Sequence, residues 1–179
     1  MKKLIRYRLS ISRTFPATHK RKGENTFFVE KILKGQKKIL SCYLCDERHI
    51  CKNHWKIVSI NFEPKIHTIR GNYDLWAKRF EKINKGEAVL ELYYWSGKPY
   101  NSKCVTICQL DKNDGIGVQK IIFDCGEYSH VYLNNEAIEV EVEALSKNDG
   151  LNPSDFEDWF KKYDLSKPLA IIQFTDFRY

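Results

Sequence analysis

No run in this 179-residue sequence approaches the roughly 20 consecutive apolar residues a helix needs to span a bilayer, so no membrane partner is expected. The opening MKKLIRYRLSIS starts basic, as a secretory leader does, but Arg6 and Arg8 interrupt any apolar stretch, and a first strand is expected instead. A glycine-rich phosphate loop is missing, and no strand–helix–strand unit recurs. There is no internal repeat and no low-complexity segment. Acidic residues are scarce in one half: residues 1–80 hold 19 Lys and Arg against 6 Asp and Glu, while residues 81–179 hold 11 against 17.

What is present is enough to fold. Hydrophobic residues make up 42% of the chain and aromatics 13%, compositions that build a core and exclude wholesale disorder. A chain of this length is expected to form one domain, residues 1–179, burying roughly 70% of its unfolded surface. The basic half can steer a polyanion such as RNA; the ordinary alternative is a set of solubilising loops. Six cysteines without a leader imply reduced thiols and a cytoplasmic setting.

Punctuation and periodicity place the elements. Leu4–Ser12 alternates as a strand, and a basic loop leads to a helix over Thr26–Leu33, capped by Asn25 or Thr26 and stopped at Gly35. Residues 36–64 are polar and Cys/His-rich, an insertion with a possible strand at Lys56–Phe62. A strand over Lys65–Arg70 precedes a helix from Tyr73 to about Asn84, with Tyr73, Trp76, Phe80 and Ile83 on one face. Strands follow at Glu87–Trp95, Lys103–Leu110 and Val118–Phe123, then a hairpin turning at Asn134-Asn135. A short helix at Val140–Ser146 is followed by one beginning at Asn152-Pro153, with Phe156, Trp159, Phe160 and Tyr163 on its stripe. Leu169–Phe177 closes the chain as an apolar, central strand. The expected class is α+β, with a small, mainly antiparallel barrel and three or four short peripheral helices.

Chemistry gathers in Lys65-Ile66-His67-Thr68-Ile69-Arg70. A threonine hydroxyl is a nucleophile only when a base removes its proton, and a lysine held neutral by burial or nearby cations is such a base. In a regular strand Thr68 and Arg70 share a face and Lys65 points away, so Lys65 meets Thr68 only if it precedes the strand or a bulge intervenes. Arg70 is a candidate to bind an oxyanion. A solvated edge strand is the ordinary alternative. Trp95 and Tyr100 flank a turn carrying Lys98, a pattern that stacks a base and neutralises a phosphate, or simply packs on the sheet. His19, in the basic loop, is a further candidate for substrate contact. Cys42, Cys45, Cys51 and His54, with His49 as a spare, have the paired spacing of a closed structural zinc site. Cys104 and Cys108 share a strand face and are expected in the core.

The order Thr26-Phe27-Phe28, Ile32-Leu33-Lys34-Gly35, Lys65-x-x-Thr68-x-Arg70, then Asn148-Asp149-Gly150-Leu151, the Phe156 helix and Ala170–Phe174 resembles the ASCH family of PUA-like domains. That family's signature is G-x-K-x-x-E-x-R. The pattern is most similar to the small bacterial acetylcytidine amidohydrolases, where Thr replaces the signature Glu. The resemblance covers about two thirds of the chain in order. It implies a PUA-like barrel, Lys65 as base, Thr68 as nucleophile, and Asp149 where the family has Glu. Two departures stand out: residues 36–64 split Gly35 from Lys65, and Asp149 is one methylene shorter.

Two functions follow as expectations. One is an amidohydrolase acting on an acylated nucleoside or modified nucleotide. The other is a non-catalytic module binding RNA or a modified nucleobase. An RNA-cleaving activity is a weaker third. Nothing in the sequence sets the oligomeric state.

Overall fold

A computed structural model describes residues 4–36, 62–123, 128–133 and 136–179. Among the described residues the strands form two sheets, and the chain is α+β. The three-stranded sheet has the order β1 (Ile5–Ser10), β3 (Ala88–Trp95), β4 (Cys104–Leu110). The five-stranded sheet runs β2 (His67–Arg70), β8 (Leu169–Gln173), β5 (Gly117–Phe123), β6 (Tyr128–Leu133), β7 (Glu136–Glu141). Among the described residues four α-helices connect them: α1 (Phe28–Gly35), α2 (Tyr73–Asn84), α3 (Val142–Asn148) and α4 (Pro153–Phe160). No helix among the described residues is long and apolar enough to cross a membrane.

Hydrophobic alternation explains most of this. Ala88, Leu90 and Leu92 turn one face of β3 into the core, and all five residues of β8 are buried because it is sandwiched between β2 and β5. α2 has the expected bounds, with the Asn72 side chain accepting from the Leu75 amide and Trp76, Phe80 and Ile83 buried at helical spacing. Asn152 caps α4 in the same way through the Asp155 amide, with Pro153 at its first position. Tyr163 lies beyond the end of α4 and is exposed.

Several expectations are corrected. α1 starts at Phe28, after Phe27 in the left-handed region (φ 56°). The Asn25 side chain accepts from the Phe27 amide within the entry loop, while Thr26 Oγ1 accepts from the Phe28 amide at the start of α1 and donates to the Ser12 carbonyl just beyond β1. α3 starts at Val142, because Val140 and Glu141 are engaged in the β6–β7 ladder. Among the described strands β1 pairs with β3 in parallel and every other pair is antiparallel, in keeping with the mainly antiparallel arrangement expected. Cys104 and Cys108 are both half-buried on the edge strand β4; Cys108 packs against the core as expected, and Cys104 is not among the residues that do. The possible strand at Lys56–Phe62 falls, but for Phe62, outside the described residues.

Candidate active site

The start of β2, helix α1 and the end of α3 converge where β2 enters its sheet. β2 begins at His67, so Lys65 lies just before the strand. This is the arrangement that lets it turn toward the face carrying Thr68. Its backbone is fixed from two sides: the Lys65 amide donates to the Lys31 carbonyl of α1, and the Ile66 amide donates to the Asn148 carbonyl at the end of α3. Asp149 follows as the residue closing α3. Gly150, at φ +77°, then turns the chain so tightly past Lys65 that a Cβ there would sit 3.1 Å from the Lys65 Cβ. Only glycine adopts that conformation without cost.

The result is a tight pocket with a cavity volume of about 10 Å3, lined by Lys65, Thr68, Arg70 and Asp149 and walled by Ile11, Ser12, Phe28, Trp159 and Phe160. Lys65, Thr68 and Asp149 are all nearly inaccessible to solvent, at 1%, 3% and 4% exposure. Lys65 Nζ donates to Asp149 Oδ1 at 2.7 Å and to the Asp149 carbonyl, and lies 4.2 Å from the centre of the Phe28 ring. Burial lowers the Lys65 pKa to about 8 against the support of Asp149, and the cations Arg70 and Lys31 push the same way as burial. Burial raises the Asp149 pKa, and Lys65 and Arg70 oppose the rise. Each partner is thus drawn toward its neutral form while their mutual attraction favours the ion pair. Moving the proton from Nζ to Oδ1 turns the same pair into a neutral amine beside a carboxylic acid.

Arg70 is not aimed where sequence reasoning put it. Its Nη1 donates to Thr68 Oγ1 at 2.9 Å and to the Ile69 carbonyl, and its Nη2 donates to the Ser10 carbonyl at the end of β1. A guanidinium on the Thr68 oxygen stabilises an alkoxide there and leaves the hydroxyl hydrogen available to a base.

The remaining expected site residues divide. Trp95, Lys98 and Tyr100 line a separate open groove that shares Ile11 and Ser12 with the pocket and also carries Arg13. The Trp95 and Tyr100 rings are 5.3 Å apart; Tyr100 is 88% exposed and holds a positive φ of 65°. His19 does not contact the pocket. It is 3% exposed, stacked on Phe15 at 4.3 Å, with Nδ1 accepting from the Arg21 amide and Nε2 donating to the Asp155 carbonyl. Both ring nitrogens are committed, which corrects its expected role as a substrate contact. Cys42, Cys45, Cys51, His54 and the spare His49 lie outside the described residues. Among the described residues no group of three or more His, Cys, Asp or Glu is placed to hold a metal.

Sequence reasoning missed a second polar layer behind Asp149. His67, on the opposite face of β2 from Thr68, is fully buried; its Nε2 is 2.8 Å from the Tyr179 hydroxyl, which also accepts from Asn148 Nδ2 at 2.9 Å. The histidine itself was visible in the Lys65–Arg70 stretch, but its partner is 112 positions away.

The fold and pocket together define a buried lysine–carboxylate pair in one pocket with a threonine that accepts from a guanidinium, in an α+β fold. Family models, curated proteins and solved structures yield no match to the chain.

Proposed function

We propose that this pocket hydrolyses an amide, with Thr68 as nucleophile, and that its substrate is an acylated nucleoside or modified nucleotide of the acetylcytidine kind. The observation that carries the reading is the buried Lys65–Asp149 pair, 2.7 Å apart, in one pocket with a hydroxyl that receives a guanidinium N–H. The ASCH resemblance supplies the substrate class, and the two packed sheets are taken as the PUA-like barrel it implies.

In this mechanism the neutral Lys65 amine takes the Thr68 proton as Oγ1 attacks the acyl carbon. Arg70 offsets the charge that develops on Oγ1 before the bond forms. The protonated Asp149 carboxyl gives its proton to the leaving nitrogen as the C–N bond breaks. Water, deprotonated by the Lys65–Asp149 pair, then attacks the acyl-threonine, releasing the carboxylate and restoring the hydroxyl. A tight pocket also requires an opening motion: its space is close to that of one water, so Trp159 and Phe160 must swing aside for a base to enter.

The test is to incubate purified protein with acetylcytidine and related acylated nucleosides and look for the free amine by chromatography. Thr68→Ala is expected to abolish turnover while retaining the fold, and a fully active Thr68→Ala protein removes this mechanism.

A second reading, a binding module for RNA or a modified nucleobase, draws on the groove alone. A nearly fully exposed aromatic held at positive φ beside Trp95, with Arg13 and Lys98 on the same walls, suits base stacking and phosphate contact. Oligonucleotide affinity falling steeply with salt, in a chain with no turnover, favours it.

A further inference from the structure

His67 is buried, polar and unused by the mechanism above. Its Nδ1 makes no hydrogen bond within the described residues, although it lies 3.6 Å from Asp149 Oδ1. A buried ring nitrogen left in that position calls for an explanation. The groups around it are the Tyr179 hydroxyl at Nε2, the Asp149 carboxylate and Lys65 ammonium at the other end, and Gln173, its partner across the β2–β8 ladder.

Burial, aided by Lys65, drives the His67 pKa well below its ordinary value, so the ring is neutral and carries one proton. The Tyr179 hydroxyl decides which nitrogen holds it. Burial keeps this phenol protonated, and its oxygen already accepts from Asn148 Nδ2. Its single hydrogen has one described acceptor left, His67 Nε2. An imidazole that accepts at Nε2 bears its hydrogen on Nδ1, where it faces a carboxylate oxygen; the other tautomer turns a bare lone pair toward that oxygen.

We infer that His67 is a positioning residue for Asp149: Tyr179 fixes the ring with Nδ1–H directed at Oδ1, ready to hold the carboxyl group in place when Lys65 lets go. The inference rests on the proposed catalytic reading for its consequence, though not for its geometry. In the resting pocket Oδ1 is held by Lys65 at 2.7 Å, and the Nδ1–H stands just out of hydrogen-bond range. When Lys65 turns to Thr68, a movement of under 1 Å brings the carboxyl group onto Nδ1 and keeps it near the leaving nitrogen.

The experiment labels the histidines of the full chain with 15N and reads their tautomers by long-range 1H–15N correlation, assigning His67 as the signal lost in His67→Gln. The expected result is a protonated Nδ1 and a bare Nε2, a shift toward Nε2–H in Tyr179→Phe, and an Nδ1 resonance that moves in Asp149→Asn. A wild-type proton on Nε2, or an Nδ1 resonance indifferent to Asp149→Asn, overturns the inference. Tyr179→Phe spares the packing that His67→Gln disturbs, and should lower kcat roughly tenfold to a hundredfold with KM held. An unchanged kcat in an active enzyme overturns it too. Absence of turnover in the wild type counts against the hydrolase reading, whereas the tautomer measurement stands by itself.

Discussion

Removing Lys65 tests the pocket's energetics without knowledge of the substrate. In Lys65→Met the side-chain volume is roughly kept, but the Asp149 carboxylate loses its ion pair in a site where both partners are almost wholly buried. Breaking such a pair typically costs about 3–5 kcal/mol, which in a chain of this size lowers Tm by roughly 6–20 °C. Part of that cost has an outlet, since Asp149 can take up a proton. An acid whose folded pKa is raised binds more protons folded than unfolded, so stability falls as pH rises through the interval between the ordinary and the raised value. Burial already raises Asp149, and losing Lys65 removes the main opposing influence. The deficit of Lys65→Met should therefore grow between pH 5 and pH 8. Adding Asp149→Asn removes the orphaned charge, so the double variant should be more stable than Lys65→Met at pH 8. Urea unfolding of the four proteins at both pH values measures the cycle. A Lys65→Met protein within about 1 kcal/mol of wild type at pH 8, or a double variant showing the plain sum of the single losses, would refute the buried-pair argument.

The mechanism needs one proton on the Lys65–Asp149 pair, so the hydrolysis rate should hold below about pH 8 and fall above it, where that proton is lost and the leaving nitrogen has no donor; a rate that keeps climbing from pH 8 to pH 10 rules Asp149 out as the acid. Stability should rise above pH 8, because a lysine with a lowered folded pKa sheds its proton there while the unfolded chain keeps it, and Lys65→Met should flatten that rise. Gly150→Ala forces a side chain into the left-handed region, at a cost of about 1–2 kcal/mol, and presses on Lys65; a melting temperature equal to wild type contradicts the tight turn. Replacing residues 37–61 with a short Gly/Ser linker should leave a cooperatively folding chain, as judged by circular dichroism, and a molten product would show that the segment supports the pocket.

What could be read from the sequence was local. The α2 stripe, the Asn152-Pro153 start of α4 and the central β8 each signal themselves within a dozen residues, and the structure keeps them, although β8 ends at Gln173 rather than Phe177. What escaped were partners chosen at long range. Tyr7 on β1 lies beside Leu90 on β3, in parallel, and no periodicity within either strand encodes that pairing. His19 looked available for substrate contact because the Asp155 carbonyl that claims its Nε2 comes from a distant part of the chain. Arg70 was rightly expected near Thr68, since alternate strand residues share a face. Its aim was not legible, because the Ser10 carbonyl that claims its other nitrogen lies 60 positions earlier.

Residues 36–64 separate Gly35 from Lys65 in sequence, yet the two lie side by side. A Cβ on Gly35 would lie 3.5 Å from both the Lys65 carbonyl oxygen and the Pro64 Cβ, so the chain resumes beside the point where it left α1. The entropic cost of closing a loop grows only slowly with its length, so 29 intervening residues add little burden beyond the first few. What the pocket requires is that both ends be held. The Lys65 amide on the Lys31 carbonyl does this on the α1 side, and the Phe174 amide on the Ile66 carbonyl does it on the β8 side. Gln36 adds a third tie, its side-chain amide donating to the Phe174 carbonyl at 2.8 Å. Lys65 is therefore positioned by helix and sheet together, and its distance from Asp149 is set by the fold rather than by closeness in sequence.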